Sequence, residues 1–307
     1  LASNYTLTGH AAGSFQINQR ALNSLGSREY DGTSIASSSD LTLSNLVGSD
    51  TLILSGNGTV ADVNVAINKT VTVNTLSLAD NTGLASNYTL TGGTHQLNIT
   101  QRSVTLSGTR SYDGTNTVSN SDLTIGNLAG SETLTLTGAG TIASKDVGSN
   151  KSVTDVSFGL SDNTGLASNY MIGTKTFNIT KQTITIDGSK IYDGNTTAAA
   201  SDISTFNGLA LTETLTINGS GTIAAPSVGT NKVLTLGTLT LANGSNGGES
   251  SNYNLTSGNF DVTTRPITLS GSRVYDGTTT VANTDITTFT NIVSGEALAV
   301  SGSGTIV

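Results

Sequence analysis

Arg28-Glu29-Tyr30-Asp31-Gly32-Thr33 returns three times along the chain, as Arg110-Ser111-Tyr112-Asp113-Gly114-Thr115, Lys190-Ile191-Tyr192-Asp193-Gly194-Asn195 and Arg273-Val274-Tyr275-Asp276-Gly277-Thr278. The tyrosines recur at intervals of 82, 80 and 83 residues. A second motif, Ser-Asn-Tyr, ends at Tyr5, Tyr88, Tyr170 and Tyr253, so the two motifs hold all 8 tyrosines. Self-similarity at a fixed period marks a tandem array. Other positions keep phase. Phe15, Leu97, Phe177 and Phe260 align, and so do Ile17, Ile99, Ile179 and Val262. A basic residue stands two before each Tyr-Asp-Gly tyrosine. An acidic one (Asp50, Glu132, Glu213, Glu296) follows about 20 residues after it, and Lys69, Lys151 and Lys232 also recur.

The repeats divide the 307 residues into a tail of a preceding copy (1–18), three whole modules (19–100, 101–180, 181–263) and the front of another (264–307). Such a division is expected of a window on a longer array. Within a module the apolar period is two: Val104 and Leu106 alternate with Thr105 and Ser107, and Leu134 and Leu136 with Thr133, Thr135 and Thr137. Runs of this kind, bounded by Gly, Asn and Asp, read as strands with one wet face. In the second copy they predict strands near 103–108, 122–126, 132–137, 151–158, 169–172 and 175–180, with room for one short turn within 122–128. Six short strands in about 80 residues suit an all-β array of small immunoglobulin-like β-sandwiches. A β-grasp-like module is the alternative. A module this small buries a modest core and is expected to be marginal without its neighbours. The junctions Thr100-Gln101, Thr180-Lys181 and Thr263-Thr264 carry no Gly- or Pro-rich linker, which predicts stiff joints.

Tyr-Asp-Gly has a mechanical reading. Gly accepts positive φ and Asp bonds the backbone that follows, so Asp31-Gly32, Asp113-Gly114, Asp193-Gly194 and Asp276-Gly277 predict tight turns. The preceding ring is expected to enter the core edge, with its hydroxyl on a polar partner. The basic residue two before it is expected beside that ring, because alternate strand residues share a face. Asn87-Tyr88, Asn169-Tyr170 and Asn252-Tyr253 read as the start of the last hairpin. The competing reading of these tyrosines is a repeated aromatic-and-carboxylate sugar site.

The pattern Arg110-Ser-Tyr112-Asp-Gly-Thr, then Asp122-Leu, Gly130-Ser-Glu132-Thr-Leu-Thr-Leu, Val147-Gly148-Ser-Asn-Lys151 and Ala167-Ser-Asn169-Tyr170, resembles the YDG-type repeat modules of large secreted bacterial proteins, many of them adhesins of the filamentous-haemagglutinin kind. The resemblance covers essentially the whole chain. It implies an extracellular or cell-surface stalk, no catalytic residues, and the rest of a longer adhesin chain as partner. Extracellular polysaccharide and neighbouring adhesin fibres are further candidate partners. The first copy differs at Asp62-Val-Asn and the third at Pro226-Ser-Val-Gly, where only loop shape is expected to change.

Composition points the same way. The formal charge is −8, charged residues make up 11%, and there are 36 Gly, 2 Pro and no Cys. The absence of Cys excludes disulfides, thiol nucleophiles and Cys-ligated metals. Few basic residues argue against nucleic acid as a partner. No apolar run approaches the ~18 residues of a membrane span, and no signal segment is visible. His10 and His95 fall at different phases of the repeat, which opposes a shared His-based catalytic or metal site. A surface loop or strand position is expected for each. Asp80-Asn81 and Asp162-Asn163 offer too few oxygens for calcium unless a neighbouring module contributes, and the third copy has Asn243-Gly there. No cofactor is expected, with calcium at module junctions as the alternative. The sequence therefore predicts a structural stalk or fibre segment, not an enzyme. Repeated weak carbohydrate binding multiplied by avidity is the second hypothesis.

Overall fold

A computed structural model describes residues 16–307. The aligned positions Tyr5, His10 and Phe15, and most of the expected tail at 1–18, lie outside the described residues. The described chain is built from strands, with short 3-10 turns at some of the connections. By internal packing it groups into two compact units. The first comprises the described residues up to Gly108, with Val118–Thr141 and Ser152–Thr176; the second comprises Thr109–Thr117, Ile142–Lys151 and Phe177–Val307. Each unit thus combines one complete repeat with parts of residues 101–180.

In the first repeat, residues 19–100, the strands are β1 (Arg20–Ala21), β2 (Asn23–Glu29), β3 (Ile35–Ser37), β4 (Leu41–Ser44), β5 (Leu52–Ser55), β6 (Asn57–Thr59), β7 (Ala66–Thr70), β8 (Ser77–Asp80), β9 (Tyr88–Thr89) and β10 (His95–Thr100). The main sheet has the order β4-β2-β10-β7. At its centre the long first strand and the last strand run parallel, from His95 opposite Ser24 to Thr100 opposite Glu29. A parallel pair needs a long crossover, and residues 30–94 supply it. They also form the small antiparallel pairs β3–β6 and β5–β8 and the outer strands β4 and β7.

The second unit repeats this plan. Gln182–Ile191 pairs in parallel with Asn259–Thr263 and with Tyr253–Thr256. Ile203–Asn207 flanks the first strand, and Gly229–Thr235 flanks Asn259–Thr263. The all-β tandem organisation holds. Within a module, a parallel pair at the centre departs from the two antiparallel sheets of an immunoglobulin-like sandwich; it shares a mixed sheet with the β-grasp-like alternative, but among the described residues no α-helix packs on it.

Period-two alternation places the core. Leu97 and Ile99 on β10 point inward, as Phe260 and Val262 do in the second unit. The first core contains Leu22, Ala36, Val60, Val71, Leu76 and Leu97. It continues into Val104, Ala129, Leu134 and Tyr170 of the following repeat. Apolar packing therefore does not stop at the repeat boundary, which eases the small-module problem. The recurrent Asp before a Leu or Ile also has a local cause. Asp122 accepts from the Ser119 amide at 2.9 Å and closes the 3-10 turn Asn120–Asp122, and Asp202 and Asp285 do the same for Ala199 and Ala282.

Residues 101–180 contain more strands than the six expected. Thr117–Ser119, Ala139–Ile142 and Gly159–Asp162 are strands too short to show alternation in sequence. The two runs expected at 169–172 and 175–180 are one strand, Tyr170–Thr180, because Gly173 reads as a turn but lies inside a strand against Ser103.

Leu97 is fully buried. Leu97→Ala should lower the unfolding free energy by about 2–5 kcal/mol, the usual range for a buried leucine. The check is urea denaturation: the midpoint falls and the m-value stays unchanged.

Candidate functional site: a tyrosine–carboxylate clamp

The Tyr-Asp-Gly turn is held by its own side chains. Asp31 Oδ1 accepts from the Thr33 amide at 2.8 Å and from its hydroxyl at 3.0 Å. Asp113, Asp193 and Asp276 accept from the amides of Thr115, Asn195 and Thr278 in the same way. Gly32, Gly114, Gly194 and Gly277 have φ between +75° and +80°, the region open to glycine. The basic residue pairs with this Asp: Arg28 with Asp31, Arg110 with Asp113, Lys190 with Asp193 and Arg273 with Asp276. Burial alone would raise the Asp31 pKa, but the Thr33 amide and Arg28 outweigh it and hold the carboxyl below its ordinary value. The basic residue was expected beside the motif tyrosine. Instead, Arg110 covers the Phe177 ring at 5.3 Å, and the cation over the Tyr112 ring is Lys145 at 5.6 Å.

With the turn fixed, the tyrosine projects into the next repeat. In the first unit the Tyr30 hydroxyl donates to Glu132 Oε1 at 2.6 Å, and that of Tyr170 donates to Glu132 Oε2 at 2.5 Å. The two rings meet edge to face, 5.4 Å apart at 77°. In the second unit Tyr112 and Tyr253 grip Glu213 Oε1 and Oε2, each at 2.6 Å, with rings 5.4 Å apart at 78°. One tyrosine comes from the Tyr-Asp-Gly motif of a repeat. The glutamate and the second tyrosine come from the repeat that follows. Tyr192 donates to Glu296 in the same relation. The Asn-Tyr tyrosine also accepts a backbone amide: Ala129 N–H on Tyr170 and Ala210 N–H on Tyr253, each at 3.1 Å. Tyr88, in the first repeat, donates to Asp50 at 2.6 Å and accepts from the Val47 amide.

The asparagine before the tyrosine closes the joint from the other side. Asn169 Oδ1 accepts from the Val65 amide at 2.9 Å, and its Nδ2 donates to Asn64 Oδ1 at 3.0 Å. Asn252 makes the matching contacts with the Val147 amide and Asp146 Oδ1. Both asparagines are buried, whereas Asn87 is exposed. The 3-10 turns Ala167–Asn169 and Ser250–Asn252 deliver them. Close approach explains the glycine a second time. A side-chain carbon on Gly114 would stand 3.0 Å from Leu211 Cδ1 and 3.3 Å from Ala210 Cβ. Only one residue, Gln101, separates β10 from the next strand, Arg102–Ser111; its amide group donates to Ser168 O and Tyr170 O. Arg102 Nη1 donates to the Tyr30 carbonyl at 3.3 Å.

Among the described motif tyrosines, Tyr30, Tyr88, Tyr112, Tyr170 and Tyr253 are core residues, and Tyr192 is half-buried. Tyr30, Tyr112 and Tyr253 are each 2% exposed. Tyr275 is 89% exposed. Burial and the Glu132 carboxylate push the Tyr30 hydroxyl up to about 12. Tyr170, Tyr112 and Tyr253 shift upward for the same reasons, burial first and then their glutamate. Burial would raise Glu213, but Lys145 and the two hydroxyls outweigh it and hold the carboxyl below its ordinary value. The arrangement keeps phenols protonated and a carboxylate charged. It makes a strong charge-assisted hydrogen-bond pair, and both carboxylate oxygens already have donors.

The remaining candidates have local partners. Asp80 and Asp162 accept from the Ala85 and Ala167 amides at 2.7 Å, and Asn243 fills the same role for Ser250 at 2.9 Å. That explains why the third copy manages without an Asp. His95 lies on β10 and is buried, not on the surface as expected, with Nδ1 on Ser24 Oγ at 2.9 Å and Nε2 on Leu90 O at 2.8 Å. Among the described residues no group of three or more His, Cys, Asp or Glu could hold a metal ion, and no helix is long and apolar enough to cross a membrane. The in-phase acidic residue is visible in the sequence, but its partner in the preceding repeat is not. Sequence reasoning missed Lys145, and it gave the Asn64 and Asp146 loop no partner.

The pH dependence has a defined sign. A tyrosine whose pKa is raised on folding contributes stability that is complete below its ordinary value near 10, and loses it as pH rises through about 12. Urea unfolding across that window should show a loss that is smaller in Tyr30→Phe. An equal loss in the variant would count against the clamp.

A family model described as the YDG domain matches the chain three times in tandem, at residues 16–96, 94–177 and 174–260. No curated protein matches it. Three consecutive matches over most of the length, on a structure whose repeats share one sheet plan and one joint, establish that the chain belongs to the YDG domain family.

Proposed function

We propose that the chain is a structural segment, a stalk or fibre portion of a secreted bacterial surface adhesin or biofilm-matrix protein, which projects or links adhesive domains. One observation carries this reading: the motif side chains that recur in phase are engaged between consecutive repeats. Tyr30, Asn169, Tyr170, Glu132 and their counterparts in the second unit are partnered within the protein. A segment whose repeated chemistry joins one repeat to the next is suited to transmitting position and tension. The resemblance to adhesin repeats, the low charge and the lack of cysteine support an extracellular setting. On this reading the partners are the rest of a longer adhesin chain, with extracellular polysaccharide or neighbouring fibres at its surface.

The carbohydrate reading needs aromatic faces open to sugar. The buried rings of Tyr30, Tyr112, Tyr170 and Tyr253 do not offer them, so avidity through these motifs is disfavoured.

Small-angle scattering on residues 1–307 tests the stalk. A single compact body of this length has a radius of gyration of roughly 19 Å, and an array of repeats in a row should exceed about 30 Å. The stalk reading predicts the larger value, and the smaller one would overturn it.

A further inference from the structure

The two joints differ in the acceptor for the joint asparagine, Asn64 against Asp146, and at the residue just before it. Aligned on Val65 and Val147, which donate to Asn169 and Asn252, the residue two before is Val63 in the first joint and Lys145 in the second. Pro226 takes this place in the third repeat. Val63 packs against the apolar cluster of the first unit. Lys145 Nζ is bound to Glu213 Oε1, the oxygen that also receives Tyr112, and lies over the Tyr112 ring. The carboxylates differ accordingly: Glu213 is 5% exposed, whereas Glu132 is half-buried.

We propose that Lys145 turns the second clamp into an ionic lock, and that this position sets the order in which the joints open: the Tyr30–Glu132–Tyr170 joint first, the Tyr112–Glu213–Tyr253 joint later. A buried carboxylate requires a full set of donors or a counter-charge. Glu132 is half-buried and keeps one side open to solvent. Glu213 is less open and takes the ammonium instead. Replacing a whole buried ion pair by apolar groups can be neutral, but removing one partner leaves an uncompensated charge. Loss of Lys145 is the second case, since Glu213 remains. Lys145 keeps 32% of its side-chain exposure, so its own desolvation is partial. The charged and titratable groups around the lock are Glu213, Tyr112, Tyr253 and Lys145, with Asp146 alongside and engaged by Asn252.

Two amides report the joints separately, Val65 N–H on Asn169 and Val147 N–H on Asn252, each at 2.9 Å. Native-state hydrogen exchange on residues 1–307 should find Val147 better protected than Val65. In Lys145→Val, Val147 should exchange faster by on the order of tenfold, while Lys145→Arg keeps most of the protection. Val63→Lys should slow Val65 exchange. High salt should reduce Val147 protection in the parent and much less in Lys145→Val. Three results would overturn the proposal: unchanged Val147 exchange in Lys145→Val, an equal acceleration of the Phe260 core amide, or faster Val65 exchange in Val63→Lys.

Discussion

A carboxylate taken out of water must be given donors, and in this protein the donors belong to different repeats. Glu132 and Glu213 each lie between two phenol hydroxyls. The lone pairs that water would satisfy are satisfied by a tyrosine from the preceding repeat and one from the glutamate's own. Breaking the joint exposes or orphans these groups together, so the clamp couples neighbours more tightly than apolar contact alone. The rest of the motif serves this geometry. Asp31 and Arg28 fix the turn, Gly32 supplies its positive φ, and the 3-10 turn before Tyr170 inserts Asn169 into the loop of the preceding repeat.

A repeat in this chain is therefore not a closed folding unit. The apolar core of the first unit runs from Leu22 and Leu97 into Ala129, Leu134 and Tyr170. Tyr30 and Tyr170 are buried on the two sides of Glu132, and Tyr112 and Tyr253 on the two sides of Glu213. The joints are similar but not equal. Valine, lysine and proline occupy one aligned position, and asparagine and aspartate alternate as the acceptor for the joint asparagine.

Much of this was legible in the sequence. The in-phase Tyr-Asp-Gly and Ser-Asn-Tyr motifs gave the repeat, period-two runs such as Leu97 and Ile99 gave the strands, and Asp-Gly gave the turn with positive φ. The parallel pairing of β2 with β10 was not legible, because alternation gives the buried face of a strand and not its neighbour. The strand Ala139–Ile142 was too short to display a period. The clamp was half-visible. Glu132 and Tyr30 both recurred, but an alignment within one repeat cannot show that a side chain reaches 102 residues along the chain. Arg28 was read onto the tyrosine ring by strand spacing, whereas the turn brings Asp31 back to it.

The central claim, that the Tyr–Glu contact couples one repeat to the next, is tested most directly by a double-mutant cycle on Tyr30 and Glu132. Tyr30→Phe, Glu132→Gln and the double variant are compared by urea unfolding. The account predicts a coupling free energy of about 1–2 kcal/mol, as expected for a hydrogen bond to a charged partner. A coupling within about 0.3–0.5 kcal/mol of zero, the additivity of unconnected sites, would contradict it.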